Sequence, residues 1–268
     1  MRLEPVTPGS RVDLSDAAAG PPSGAPAKAS AAAQVRKLGE RIDELQDALY
    51  AEGRRALLVV LQGRDTSGKD GAVRKVFGPL DPLGIVITSF KVPTPVELAH
   101  DYLWRVHQAV PPKGTIGVFN RSHYEDVLAV RVHQLVPEPV WRARYEQINQ
   151  FEQFLSANGV TILKFFLHIS REEQRERLLA RLDDPRKHWK FSAGDLGERE
   201  RWEAYTAAYL EALERTSTAV APWYVVPADR KHLRDLLVAQ VVVEALERMD
   251  PQYPGPPAGL EQFRAALD

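Results

Sequence analysis

The stretch "LLVVLQGRDTSGKDGAVRKVF", residues 57–77, carries the reading of the fold. An apolar run enters a loop with glycines at 63 and 68, Lys69 follows, and a helix-like tract leaves it. Strand, loop and helix in this order are the setting in which G-x-x-x-x-G-K cradles phosphate. The helix N-terminus offers free N–H groups and a partial positive charge, and Lys69 adds a full charge that can follow a transferred phosphoryl group. Gly63, Gly68 and Gly71 let the backbone approach an anion closely. Asp70 stands where Ser or Thr usually follows the lysine. A carboxylate there would repel bound phosphates unless it is turned away or bound to metal. Mg²⁺ takes one or two carboxylates with waters and phosphate oxygens, which makes Asp65, inside the loop, the expected metal ligand. Asp70 reads as a first-turn residue that favours the helix dipole.

Outward from the loop, apolar runs alternate with helical tracts. "RALLVVLQ" (55–62), "IVITSF" (85–90), "TIGVFN" (115–120), "TILKFFLHI" (161–169) and "WYVVPA" (223–228) read as strands. Helices are expected from Gly68, across 95–110, from Tyr124, from about Pro139, from Ser170, near 195–215 and over 230–249. Five apolar runs separated by helices imply an α/β protein with a parallel five-stranded sheet covered on both faces. Residues 1–30, rich in Pro, Gly, Ala and Ser, read as an arm that is flexible or laid over the surface. Val35, Leu38, Ile42, Leu45 and Leu49 form one helical stripe, to be packed on its own domain or, alternatively, on another subunit. The main domain is expected over 31–250 and an irregular tail over 251–268.

The chain has 268 residues, no cysteine and a formal net charge of −1. Disulfides, thiolate metal sites and cysteine nucleophiles are thereby excluded. The N-terminal sequence has no apolar signal-like region and the densest apolar run, 56–61, is too short to span a bilayer, so a cytoplasmic protein without membrane contact is expected. Near-zero charge gives no global positive field, so no nucleic-acid partner is expected and any polyanion must be held by a local basic cluster.

Two further segments supply such clusters. "VFNRSHYEDVLAVRVH" (118–133) closes the third strand, and ligands of open α/β sheets gather beyond the carboxyl ends of strands. Asn120, Arg121, Glu125 and Asp126 should therefore face the crevice of the loop. Arg121 could neutralise a transferring phosphoryl group, and a carboxylate could hold Mg²⁺ or one of its waters. A helix-capping salt-bridge cluster is the plainer alternative. "RERLLARLDDPRKHWKFSAGDL" (175–196) breaks at Pro185 and fits a mobile lid over about 183–215, carrying Arg177, Arg181, Lys187 and Lys190; a solvated, salt-bridged surface is the alternative. Arg64, Arg74, Lys75 and Arg131 flank the two motifs and are candidates for lining a phosphate groove, with Gly68, Lys69 and Asp70 of the loop. His123 and His133 are read as bystanders.

These segments, in this order and separation, resemble the polyphosphate kinase 2 family, and "FNRSHYEDVL" with "RLDDPRKHWKF" looks most like its class III members. The family's loop itself carries Asp after the lysine. The resemblance implies a three-layer α/β/α P-loop kinase fold, similar to thymidylate kinases, with a helical lid. It implies a reversible, Mg²⁺-dependent transfer between inorganic polyphosphate and AMP or ADP, with ATP as a product, Mn²⁺ as a substitute metal and a homo-oligomeric assembly. By motif position Asp65, Lys69, Arg121 and Asp126 would be catalytic, Asn120, Arg121 and Glu125 nucleotide-binding, and Asp65 and Glu125 metal-binding. Other branches carry Asp in place of Asn120 and Asn in place of Glu125. An ATP-dependent nucleoside monophosphate kinase of the same fold, and a non-catalytic nucleotide-binding protein, are the competing readings.

Overall fold

The computed structural model describes residues 2–192, 194–258, 260, 264, 266 and 267; one position of the expected lid and part of the expected tail lie outside the described residues. The strands are β1 (Ala56–Gln62), β2 (Ile85–Ser89), β3 (Ile116–Asn120), β4 (Val160–His168) and β5 (Trp223–Pro227). They pair in parallel in the order β2-β3-β1-β4-β5. The helices are α1 (Lys28–Glu52), α2 (Lys69–Ala72), α3 (Pro95–Leu98), α4 (Trp104–Ala109), α5 (Ala129–Val132), α6 (Glu138–Ala157), α7 (Arg171–Leu182), α8 (Gly194–Glu200), α9 (Trp202–Thr216) and α10 (Lys231–Met249).

β1 sits in the middle of the sheet and every one of its residues is buried. Successive strand side chains point to opposite faces, so Leu57, Val59 and Leu61 join one apolar cluster with α1 and α10, while Ala56, Leu58 and Val60 join the other with α6 and α9. Burial of each of these valine and leucine side chains stabilises by about 1.5–3 kcal/mol. The result is three layers. The stripe on α1 is consumed inside the chain, with Ile42, Leu45 and Leu49 buried in the same cluster as Leu237, Val241 and Leu246 of α10.

Several expectations change in detail. The tract 95–110 divides into α3 and α4, because the Asp101 carboxylate accepts the Leu103 N–H at 2.9 Å and gives the backbone a local alternative to the helical ladder. The segment from Tyr124 begins as a 3₁₀ turn, His123–Asp126, capped by Ser122 Oγ. The N-terminal arm is laid over the sheet's β5 end. Val6 N–H donates to Trp223 O at 2.8 Å, Asp229 N–H donates to Ala19 O at 3.2 Å, and Ala19 is buried. Helix α9 packs into the body, with Ala208, Tyr209, Ala212 and Leu213 in the core, while Lys187, Trp189 and Lys190 of the expected lid stand at the sheet's carboxyl end. Residues 251–258 are irregular, as expected. No helix among the described residues is long and apolar enough to cross a membrane.

Candidate active site

In the order β2-β3-β1-β4-β5 the chain leaves β1 towards β2 and later returns from β3 to β4, so the crossovers diverge at the carboxyl ends of β1 and β3. A cleft of about 770 Å³ opens there. Its walls are the phosphate-type loop, the ends of β2 and β3, the inner side of α7, the turn after α7 and the first turn of α10. Among the described residues, ten cationic side chains and four acidic ones line it. Such an excess, in a chain of almost neutral total charge, suits a polyanion.

The loop is shaped for close approach. Thr66 has φ 64° and Gly68, the residue before α2, has φ 97°, both left-handed. Thr66 Oγ1 and Ser67 Oγ are buried without hydrogen-bond partners among the described residues. Lys69 is buried, and its ammonium donates to Gly63 O at 2.8 Å and Arg64 O at 3.2 Å. Burial first, then the charge of Arg121, pulls its pKa down to about 8 against the opposing pull of Asp65, Glu125 and Asp70. The charged form is the one that attracts phosphate. In the free protein that form is full below pH 8 and is lost as pH rises through it, so kcat/KM is expected to fall with a midpoint near 8. A bound polyanion holds the proton, moving the limb of kcat to higher pH. Rate profiles of both parameters check this, and a kcat/KM flat to pH 9.5 contradicts it.

Gly68 is fixed by what lies above it. A Cβ there would stand 1.8 Å from Arg234 Nη1, and one at Gly71 would stand 2.8 Å from Arg234 Nη2. Arg234 comes from α10, is buried, and holds Asp235 Oδ1 through Nε at 2.9 Å and Nη2 at 2.6 Å. Gly68→Ala must therefore displace a tethered guanidinium and strain a left-handed residue. Turnover is expected to fall about 10²-fold, the usual result of an ångström-scale misplacement. Steady-state kinetics of the folded variant provides the check.

Around this loop the charged groups interlock. Asp65 Oδ2 accepts from Arg181 Nη1 at 3.0 Å, and the same nitrogen reaches Asp195 Oδ2 of α8 at 3.3 Å. Asp70 lies at the first turn of α2 with its carboxylate turned to Asn120 Nδ2, 2.8 Å away, and Lys190 Nζ is at 3.8 Å. Desolvation raises the Asp70 pKa, but the Asn120 bond and the charges of Lys190, Lys69 and Arg181 outweigh it and leave the carboxyl below its ordinary range. Asp70 thus stays ionised and is held by an amide and a lysine, which explains how a carboxylate sits at the edge of an anion site. Asn120 is spent on this contact. Arg121 has φ 63°, a strained backbone that aims its guanidinium into the cleft, and Nη1 stands 3.4 Å from Glu125 Oε2. That neighbour raises the Arg121 pKa and secures its charge.

Other expected site residues lie elsewhere. Arg64 turns inward: its guanidinium stacks 3.8 Å from the centroid of the Trp202 ring and donates to Trp202 O and Thr206 Oγ1. Burial pulls its pKa down to about 10, and it ties the loop to α9 without lining a phosphate groove. Arg131 is bound to Glu211 at 2.6 Å and to Tyr145 OH at 3.1 Å, outside the cleft. Lys75 is exposed but does not line the cleft, because α2 continues into a π-helical turn, Val73–Phe77, that presents Arg74 to it instead. Asp126 pairs with Arg144 at 2.8 Å and does not line the cleft, and desolvation raises its pKa. Glu125 also lies behind the cleft wall, engaged by Arg121 and by Gln62 Nε2 at 3.2 Å. Arg177 is buried and donates to Thr66 O at 2.8 Å and Ala228 O at 2.6 Å, so it props the loop from α7.

Beyond α7, Lys187 and Lys190 line the cleft from the turn Pro185–Lys190, with Lys187 paired to Asp184 at 2.8 Å. Helix α8 is tied to the body by Glu198, which meets His133 Nε2 at 2.8 Å and the Tyr205 hydroxyl at 2.5 Å. His123 is buried against Glu152 at 3.2 Å, a structural role. Sequence reasoning missed Lys91, Lys231 and Arg234. Lys91 follows β2, and Lys231 and Arg234 open α10 just after β5, so the rule about strand carboxyl ends applied to them as well.

The family model described as polyphosphate kinase 2 (PPK2) matches residues 26–254. A relative from Meiothermus ruber named AMP/ADP-polyphosphate phosphotransferase is 53% identical over 236 residues, 88% of each chain. An ADP-polyphosphate phosphotransferase from Rhodopseudomonas palustris is 47% identical over 232 residues, 82% of this chain and 80% of that one. The crystal structure of polyphosphate kinase 2 from Arthrobacter aurescens superposes with a TM-score of 0.90 at 42% identity, covering 99% of this chain and 98% of that one.

Proposed function

As the chain belongs to the polyphosphate kinase 2 family, we propose that it transfers phosphoryl groups from inorganic polyphosphate to AMP and ADP, reversibly and without a covalent enzyme intermediate. The observation that supports this most is that Lys69 and Arg121 line one cleft whose cations outnumber its acids ten to four. Polyphosphate is uniformly charged and needs such a lane, with no base to read.

The acceptor is a phosphate oxygen already ionised near neutral pH, so no general base is required. It attacks the terminal phosphorus of the chain, a P–O bond to the nucleotide forms, the bridging P–O bond breaks, and a chain shorter by one phosphate leaves. The barrier is repulsion between two anions, which positive charge and alignment lower. Lys69 at the loop and Arg121 at the end of β3 supply that charge at the transferred group. Arg74, Lys91, Lys231 and Arg234 hold flanking phosphates, and Lys187 and Lys190 come down from a lid over about 183–200.

Among the described residues no group of three or more His, Cys, Asp or Glu comes together as a metal cage. The donor set suits Mg²⁺, or Mn²⁺ in its place, since Mg²⁺ takes one or two carboxylates and completes its shell with phosphate oxygens and waters. Asp65, a carboxylate lining the cleft, would hold it. The ion supplies charge neutralisation at the phosphates. The reaction is assigned to the cytoplasm, where nucleotides are the available acceptors.

Purified protein incubated with Mg²⁺, polyphosphate and either AMP or ADP, with ATP omitted, is expected to yield ADP and ATP by chromatography. Formation of ADP from AMP only when ATP is added would support the ordinary nucleotide kinase reading instead. No product under either condition, with nucleotide bound, would support a binding protein.

A further inference from the structure

The cleft is rich in charge for phosphates and poor in apolar surface for the flat heterocycle of a nucleotide. Two aromatic side chains line it, Phe90 and Trp189. Phe90 is 7% exposed, stands edge-on to Phe119 with centroids 4.9 Å apart, and has the Arg105 guanidinium 5.4 Å from its own centroid. Its ring is already occupied. Trp189 is 79% exposed, on the turn Pro185–Lys190. Its indole N–H donates to Arg186 O at 3.0 Å, which sets the ring's orientation and leaves it no polar group to satisfy. Lys190 Nζ stands over the ring, 5.0 Å from the centroid.

We propose that Trp189 is the stacking platform for the base of the acceptor nucleotide. The inference rests on the assignment of AMP and ADP as acceptors. A base laid on the free face of the indole recovers apolar contact that the ring lacks in water, and the ammonium on the ring adds a cation–π component. The turn is coupled to the phosphate loop: Arg181 donates both to Lys190 O at 3.3 Å and to Asp65 Oδ2 at 3.0 Å. Stacking there fixes the distance from base to loop, and thus from base to the phosphate that accepts. Every base has a π face, so the platform accepts purines and pyrimidines and favours the larger purines by area.

The test compares ADP and tripolyphosphate binding, each measured alone by calorimetry with Mg²⁺, for the full-length chain and for Trp189→Ala and Trp189→Phe. The side chain is exposed, so both variants fold. Trp189→Ala is expected to weaken ADP about 5- to 150-fold, the range of base–aromatic stacking, while Trp189→Phe stays within about threefold and tripolyphosphate binding is unchanged. Unchanged ADP affinity in Trp189→Ala overturns the proposal. So does equal weakening of ADP and tripolyphosphate, which would make Trp189 a general lid contact. ADP binding is read without polyphosphate, so failure of the donor assignment shows in the turnover assay alone and does not masquerade as failure of the platform.

Discussion

Lys69→Ala is expected to lower kcat for nucleotide phosphorylation about 10³-fold or more, with the unfolding midpoint in urea close to that of the unsubstituted protein. A preorganised charge at a transferring phosphoryl group is worth about 10²- to 10⁵-fold in comparable sites. Two features place Lys69 at the upper part of that range. It lies at the start of α2, where the helix dipole and free N–H groups act on the same phosphate, and it is buried, where water screens its charge little. Stability should survive because the folded state binds this proton less tightly than the unfolded chain does. A lysine whose pKa is drawn down to about 8 costs folding free energy at neutral pH, and its removal relieves that cost. Lys69→Arg should restore charge but not geometry, recovering only part of the rate. A variant that keeps more than a tenth of the turnover would mean that the loop is not where transfer occurs.

Glu152→Ala should destabilise the fold by about 3–5 kcal/mol, a large part of the 5–15 kcal/mol that a domain commonly has. Lys164, on the inner strand β4, is fully buried and donates to Glu152 Oε2 at 2.6 Å, Thr216 O at 2.6 Å and Tyr124 OH at 2.8 Å. Those partners use all three of its N–H groups. Glu152 also accepts from Tyr124 OH at 2.9 Å and faces His123 at 3.2 Å. Desolvation works against the Glu152 charge, yet Lys164 and His123 more than offset it and hold its pKa below the ordinary carboxylate range. Removing the carboxylate leaves a buried ammonium without a counter-charge. Urea denaturation measures the loss, and the double variant Glu152→Leu with Lys164→Met should lose much less than Glu152→Ala alone, because both charges leave together. A loss under 1 kcal/mol for Glu152→Ala would contradict this account. The network also anchors the turn after Arg121, through His123 and Tyr124, so the destabilised variant should show a raised KM as well.

The sheet was legible because its strands are apolar runs of the right length, bounded by turn residues. "RALLVVLQ" and "TILKFFLHI" differ from β1 and β4 only at their edges. The loop was legible because glycine, lysine and helix start are local features. What the sequence hid was non-local. Arg64 reads as a cation beside a phosphate loop, and only the packing of α9 shows that Trp202 takes its guanidinium. Asp126 lies within a motif and Arg131 flanks it, yet Arg144 and Glu211, distant in sequence, pair with them. Arg234 lies well over a hundred residues beyond the loop, and its place above Gly68 follows from β5 leading α10 to the same crevice. The packing of α9 was hidden for a related reason: its charged face is visible in sequence, but its buried face of Ala208, Tyr209 and Leu213 decides where it goes.

The central claim is that the cleft takes its phosphoryl group from polyphosphate. The direct measurement supplies Mg²⁺, unlabelled AMP and unlabelled ATP together with ³²P-labelled polyphosphate, and follows the label into nucleotide over the first turnovers. Label appearing in ADP at the rate of ADP formation, and absent with Lys69→Ala, is the result predicted. ADP that forms from AMP while staying unlabelled would mean that ATP is the donor and would contradict the account.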